Sequence, residues 1–132
     1  MSVSDKPTVM IVDDEQNFTG SLRLTMEDEF TVFVAGSLES ARQALQRFLP
    51  DVIFLELLLP DGDGLELFHD LKKLVKLPAV FAVTAHASVE SYIKTLSEGC
   101  IDYLVKPVNF KQLKFMLKKI LKNNIWEANF DD

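Results

Sequence analysis

Five side chains in this sequence stand where chemistry is readily done. Glu56 follows the apolar run Val52-Ile53-Phe54-Leu55, Asp13 and Asp14 follow Val9-Met10-Ile11-Val12, Thr84 follows the run from Ala79 to Val83, and Lys106 follows Tyr103-Leu104-Val105. Short apolar runs of this kind read as buried strands, so each polar residue stands at a strand's C-terminal end. In an open parallel sheet those ends share one edge, and ligands bind there. Asp13 and Asp14 suit a hard divalent cation such as Mg2+, which usually takes one or two carboxylates and keeps several waters. Glu56 adds a third carboxylate, at the metal and as a nucleophile. Lys106 and Thr84 supply donors for phosphoryl oxygens. Metal, cation, hydroxyl and carboxylate nucleophile together are the parts of a phosphoryl-transfer site. Each part has a plainer reading alone: the Asp pair as a helix cap, the Thr as structural, the Lys-Pro as a turn. Their joint placement at the ends of different strands is what favours the chemical reading.

The elements that must position these groups follow from periodicity. Strands are expected at Thr8–Val12, Phe30–Ala35, Val52–Leu55, Ala79–Val83 and Asp102–Val105, alternating with helices at Glu15–Asp28, Leu38–Phe48, from about Gly64, Ser88–Glu98 and Phe110–Lys122. Phe18, Leu22 and Met26 recur at helical spacing in the first helix, and Leu113, Met116, Leu117, Ile120 and Leu121 form one stripe on the last. Ser37 is the expected N-cap of the second helix, Asp63 with Glu66 has capping-box spacing before the third, and Asn109 with Gln112 has it before the fifth. Gly99 is placed to close the fourth in a left-handed conformation. Five alternations imply an α/β fold, a doubly wound parallel sheet covered on both faces by five helices. In the flavodoxin-like order 2-1-3-4-5 the first and third strands are neighbours, so Asp13, Asp14 and Glu56 meet.

With 132 residues, 48% hydrophobic and 26% charged, the chain suits one globular domain. No apolar stretch approaches the ~20 residues of a membrane span, and Met1 to Pro7 lacks the apolar segment of a signal peptide, which together predict a cytoplasmic protein. A single cysteine, Cys100, fits a reducing compartment and reads as a small buried apolar residue. His69 and His86 have no cysteine pair to complete a zinc site, and read as loop or surface residues. The formal net charge of −6 argues against direct binding of nucleic acid. There is no internal repeat or low-complexity segment.

At this point the sequence resembles the receiver domain of bacterial two-component response regulators, over residues 8–122, with 1–7 as an N-terminal tail and 123–132 as a C-terminal tail or the start of a linker. Val12-Asp13-Asp14-Glu15 resembles the family's acidic pair, and Leu59-Pro60-Asp61-Gly62-Asp63-Gly64 the loop after its phosphoacceptor strand. Val83-Thr84-Ala85 resembles the strand carrying the switch hydroxyl, and Asp102-Tyr103-Leu104-Val105-Lys106-Pro107 the last strand with its lysine. The resemblance implies a cis Lys106-Pro107 peptide, weak Mg2+ binding, and Tyr103 as an aromatic switch residue with Thr84 as its partner. It also implies a signalling domain rather than an enzyme. The implied partners are a sensor histidine kinase or phosphotransfer protein, an output domain or partner protein on the Ser88–Lys122 face, and a second copy as a further candidate. Lys111, Lys114, Lys118 and Lys122 form a basic stripe on that face, read either as solvated or as a contact for acids of a partner. Trp126 and Phe130 in the tail either dock on the body or begin a linker.

The departure is at Glu56, where the family nearly always has aspartate. Glutamate moves the carboxylate out by one C–C bond, about 1.5 Å, and a misplacement of about 1 Å can cost about 10²-fold in transfer. Three readings follow: a poor acceptor whose longer reach toward Lys106 and Thr84 holds the domain partly active-like, a slow acceptor, or a switch-dead scaffold that only binds partners. Mimicry by glutamate is incomplete in any case, because a phosphate carries more charge and one more oxygen. Other classes fit less well. A haloacid-dehalogenase-type phosphatase needs D-x-D directly after its strand, whereas Asp61-Gly62-Asp63 comes five residues after Glu56. A calcium loop starting at Asp61 places Glu66 where glycine is needed and Lys72 where a bidentate glutamate is needed. A flavin phosphate is repelled by Asp13-Asp14-Glu15.

Overall fold

The computed structural model describes residues 6–122. Its strands are β1 (Thr8–Val12), β2 (Thr31–Ala35), β3 (Val52–Leu55), β4 (Leu58–Leu59), β5 (Gly62–Asp63), β6 (Ala79–Thr84) and β7 (Asp102–Val105). Its helices are α1 (Gln16–Met26), α2 (Leu38–Leu45), α3 (Leu65–Leu71), α4 (Val89–Glu98) and α5 (Phe110–Leu121). The main sheet is parallel, in the order β2-β1-β3-β6-β7. Counting only its five strands, this is the expected 2-1-3-4-5. The additional antiparallel pair β4–β5 lies between β3 and α3 and is not foreseen from the sequence.

Alternation along the central strands divides the core between the two faces of the sheet. Val9 and Ile11 of β1, with Val52 and Phe54 of β3, pack with α1 and α5 residues such as Leu22, Met26, Leu113 and Leu117. Met10 and Val12, with Ile53 and Leu55, pack with Leu38, Ala41, Leu65 and Phe68 of α2 and α3. Full burial on both faces is why these strands read as continuous apolar runs rather than alternating ones. Each fully buried aliphatic side chain contributes about 1.5–3 kcal/mol, so this sandwich is the rigid base on which the strand ends are held.

The expected caps form in three of four places. Ser37 Oγ accepts from Ser40 N at 3.1 Å, Asn109 Oδ1 accepts from Gln112 N at 3.0 Å, and Gly99 closes α4 at φ 116°. The capping box at Asp63 and Glu66 does not form. Gly64 is the N-cap of α3, Asp63 accepts from Leu65 N two residues on, and Glu66 lies 3.6 Å from Arg42. The reason is local: the β4–β5 hairpin brings Gly64 N onto the Leu57 carbonyl at 2.8 Å, and a Cβ on Gly64 would collide with the Glu56 carbonyl. Glycine is therefore required at the point where the loop returns to β3.

The same hairpin supplies a cap to a different helix. Asp61, at its tip, accepts from Leu38 N at 2.8 Å and Glu39 N at 3.0 Å, the first backbone donors of α2. These bonds hold the Asp61 carboxyl below its ordinary value. A depressed carboxylate adds stability above the unfolded-state value and loses it as pH falls through the folded-state value. Asp61→Ala is therefore expected to lower the thermal midpoint at neutral pH and to match the parent in strong acid. Midpoints measured across that range check this, and a difference independent of pH would refute the cap.

Candidate functional site

The C-terminal ends of β1, β3 and β7 place Asp13, Glu56 and Lys106 side by side, because β1 is flanked by β2 and β3 and the register carries Val12 next to Leu55. Lys106 Nζ lies 2.7 Å from Asp13 Oδ2, 3.1 Å from Glu15 Oε1 and 3.3 Å from Glu56 Oε1. It also stands 4.2 Å above the centre of the Phe18 ring, a cation–π contact. Glu15 and Phe18 belong to the start of α1, and their part in holding Lys106 is not signalled by the sequence pattern. Asp13 does two jobs: its other oxygen accepts from Glu15 N at 2.9 Å, so the turn-forming and charge-pairing readings both apply.

Glu56 is buried, with 4% of its surface exposed. Its Oε2 accepts from its own downstream amides, Leu57 N at 2.8 Å and Leu58 N at 3.2 Å, while Oε1 faces Lys106. The reach toward Lys106 is thus made. Thr84, equally buried, uses its hydroxyl to accept from His86 N at 3.1 Å, and no hydrogen bond joins it to Glu56 among the described residues. The Glu56 carboxylate folds onto the loop that follows β3.

The electrostatics follow from depth. Burial raises the Asp13 carboxyl, working against the Lys106 hydrogen bond and the Glu15 amide, with the Glu56 charge adding to the rise. Burial works against the Lys106 ammonium as well, but the Asp13 and Glu15 hydrogen bonds and the nearby charges outweigh it, and its value is raised. Desolvation wins at Asp13, which has one cationic partner and the Glu56 charge beside it, and loses at Lys106, which has three acidic partners. The 2.7 Å contact makes them an ion pair.

Above these groups opens a cleft of about 300 Å³ lined by Asp13, Asp14, Glu15, Glu56, Leu58, Leu59, Pro60, Ala85, His86 and Lys106. Asp14 is exposed at its rim. Four carboxylates face one ammonium there, an excess of negative charge whose hard oxygen donors suit a cation like Mg2+. The expected trio Asp13, Asp14 and Glu56 is nevertheless not gathered as a cage. Among the described residues no group of three or more His, Cys, Asp or Glu side chains is arranged to hold a metal ion. Lys106 bridges Asp13 and Glu56, and Glu56 has turned to its own amides.

Away from the cleft, Tyr103 is buried at 7% exposure and donates from its phenol to Ser91 Oγ at 3.0 Å. The Lys106-Pro107 peptide is cis, as the resemblance implies. On α5, Lys114 lies 2.7 Å from Asp28 and Lys118 2.7 Å from Glu29, so acids of the α1–β2 turn engage half of the basic stripe from within the chain. Cys100 is buried, with its thiol pushed up to about 11 by desolvation first and the Glu98 charge second. No helix among the described residues is long and apolar enough to cross a membrane. Trp126 and Phe130 lie outside the described residues.

Comparison with known proteins identifies the family and the fold. The profile described as "Response regulator receiver domain" matches residues 9–118. The alginate biosynthesis transcriptional regulatory protein AlgB of Pseudomonas aeruginosa is 34% identical over 115 residues, covering 86% of this chain and 26% of that protein. The KDP operon transcriptional regulatory protein KdpE of Escherichia coli is 36% identical over 117 residues, covering 88% of this chain and 52% of that protein. The chain thus spans between a quarter and about half the length of these curated relatives. Among solved structures, the signal receiver domain of a putative LuxO repressor protein from Vibrio parahaemolyticus superposes with a TM-score of 0.86 at 26% identity, covering 96% of this chain and 98% of that one. A CheY-like receiver domain protein from Methanospirillum hungatei gives 0.85 at 26% identity, covering 93% and 99%.

Removing Lys106 leaves two buried carboxylates without their counter-charge. Lys106→Met is expected to destabilise the fold by about 3 kcal/mol in denaturant unfolding, the cost of breaking one side of a buried pair. Asp13→Asn in the Lys106→Met background should recover part of that loss. Additive losses in the double variant would show that the two groups are not coupled.

Proposed function

Because the chain belongs to the response regulator receiver domain family, we propose that it is a signalling receiver that works without phosphorylation, with Glu56 standing where the family carries its phosphoacceptor aspartate. One observation carries this reading: both oxygens of Glu56 are already engaged, one by Lys106 and the other by Leu57 N and Leu58 N. A carboxylate in this state is a poor nucleophile, since attack through either oxygen requires that oxygen to weaken the contacts it already makes in a buried site. Meanwhile its charge already occupies Lys106, the partner that a phosphoryl oxygen would otherwise find. Thr84 is not engaged by Glu56, so the mimicry is partial.

Asp13 and Asp14 would hold Mg2+ in the cleft, with the exposed Asp14 as the accessible ligand and Asp13 contributing as its contact with Lys106 loosens. The cation would neutralise the excess of carboxylates and orient phosphoryl oxygens in any transfer that does occur. Thr84 and Tyr103 are the switch residues in this reading, and the face from Ser88 to Lys122 is the output surface. Val89 at 76% exposure, Ile93 at 60% and Val105 at 50% give that face its apolar content. The partners are an output domain or separate protein on that face and a histidine kinase or phosphotransfer protein at the cleft, in the cytoplasm. The relatives AlgB and KdpE are named as transcriptional regulators, which supports an output in gene control exerted through another domain or protein. Slow phosphorylation on Glu56 is the second reading, favoured by the full set of acid, lysine and hydroxyl around it.

Mg2+ titrated into the protein should bind weakly, and Asp13→Ala should weaken it further; affinity unchanged in Asp13→Ala would remove the metal assignment. Intact mass after incubation with acetyl phosphate and Mg2+ tests the function. The expected result is an adduct on Glu56→Asp and none on the parent chain. An adduct on both, lost in Glu56→Ala, would establish the slow-acceptor reading instead.

A further inference from the structure

α4 is the least anchored helix of the domain. Thr95 is its one buried residue, and the Thr95 hydroxyl has no hydrogen-bond partner among the described residues. Its apolar residues Val89, Tyr92 and Ile93 are exposed. An unpaired buried hydroxyl weakens a helix's seat, and a helix with little buried apolar surface opens locally at low cost. Among the described residues, two side-chain tethers hold α4 to the rest of the protein. At its C-terminal end Glu98 meets His69 at 3.0 Å and Lys72 at 3.1 Å on α3 and the residue that closes it. At its N-terminal end Ser91 accepts the Tyr103 phenol at 3.0 Å, the one side-chain hydrogen bond between α4 and the sheet.

We propose that Ser91 is the positioning residue for Tyr103: its hydroxyl holds the ring inward and ties the first turn of α4 to β7, independently of Glu56 and Thr84. Three further observations support it. Ser91 is itself fixed, because its N–H donates to the cap Ser88 Oγ at 3.0 Å. Tyr92 covers the Tyr103 ring edge-on, at 5.5 Å between centroids and 88° between planes, so the ring packs against the helix as well as bonding to it. The Thr84 hydroxyl, next to this ring's strand, is engaged by His86 N and not by the phenol. The inward ring therefore has a holder on α4 and none at the acidic cleft. The inference deepens the phosphorylation-independent reading: the output face is set by a latch built from α4, and Glu56 need not transmit to it.

The chain has two tyrosines, so Tyr92→Phe leaves Tyr103 as the sole site for fluorotyrosine. In that background, 19F NMR reports the exposure of the ring, and amide hydrogen exchange by mass spectrometry reports the opening of α4. Ser91→Ala, which favours a helix and keeps the fold, is expected to shift the resonance toward an exposed position and speed α4 exchange about five- to tenfold, the effect of one net hydrogen bond. Exchange in α5 should not change. Ser91→Thr should restore both readouts, Tyr103→Phe should reproduce the α4 exchange, and Glu56→Ala should alter neither. A buried ring and unchanged α4 exchange in Ser91→Ala would overturn the proposal, as would release of the ring by Glu56→Ala. Failure of the Glu56 reading shows separately, as a phosphoryl adduct on the parent chain.

Discussion

The Lys106 ammonium touches Asp13, Glu15 and Glu56 and rests on the Phe18 ring, and through these contacts it joins the ends of β7, β1 and β3 to the start of α1. Three carboxylates gathered at one sheet edge repel one another, and without a counter-charge the edge would have to open or take up protons. A lysine at the end of the outermost strand supplies that charge from within the chain. The ring beneath it matters too, because it replaces part of the hydration that the ammonium gives up on burial. The strand order, the short βα loops and the position of α1 are all consistent with delivering these groups to one point.

Glu56 shows how local donors direct a side chain. A carboxylate at the end of β3 has a choice between extending toward β6 and folding back on the loop that follows it. Folding back wins here because two backbone amides, Leu57 N and Leu58 N, are already aimed at the space just past the strand. The amides lie in a partly buried turn, and a carboxylate is the strongest acceptor within their reach. The outcome is a cleft whose central acid is occupied at both oxygens, next to β6, whose Thr84 hydroxyl serves its own turn. Two halves of what could be one device are thereby separated by local hydrogen bonding.

Sheet order and, to within one residue, the strand ends and all five helix starts are legible in the sequence, because burial on both faces leaves unbroken apolar runs and polar residues mark where helices begin. Asp13, Glu56 and Lys106 were legible as a cluster for the same reason: topology alone brings three strand ends together. Glu15 and Phe18 were not, since contact between an exposed acid, a core aromatic and a lysine ninety residues away depends on side-chain direction rather than spacing. The cap at Asp63 was misread because capping spacing says nothing about a hairpin that pulls Gly64 onto β3. The Ser91–Tyr103 bond was equally hidden, as a serine in a helix's first turn ordinarily signals only a cap. The basic stripe on α5 was seen, but its partners in the α1–β2 turn were not, because nothing in either segment's pattern pairs them.

The loop from Leu57 to Gly64 is fixed at both ends and at its tip. Gly64 is pressed against the Glu56 carbonyl, the pairs Leu58–Asp63 and Leu59–Gly62 set the register, and Asp61 in the two-residue turn is committed to α2. Such a segment tolerates changes in composition more easily than changes in length. An inserted residue at the tip would pull Asp61 off its helix, and one nearer the base would slide Gly64 off the carbonyl and set a Cβ in its place. In related sequences that share this geometry, the number of residues between the central acid and the following helix should vary less than their identity. Gaps in an alignment would then fall elsewhere, as in the Lys73–Leu77 stretch, where the exposed side chains form no ion pair among the described residues.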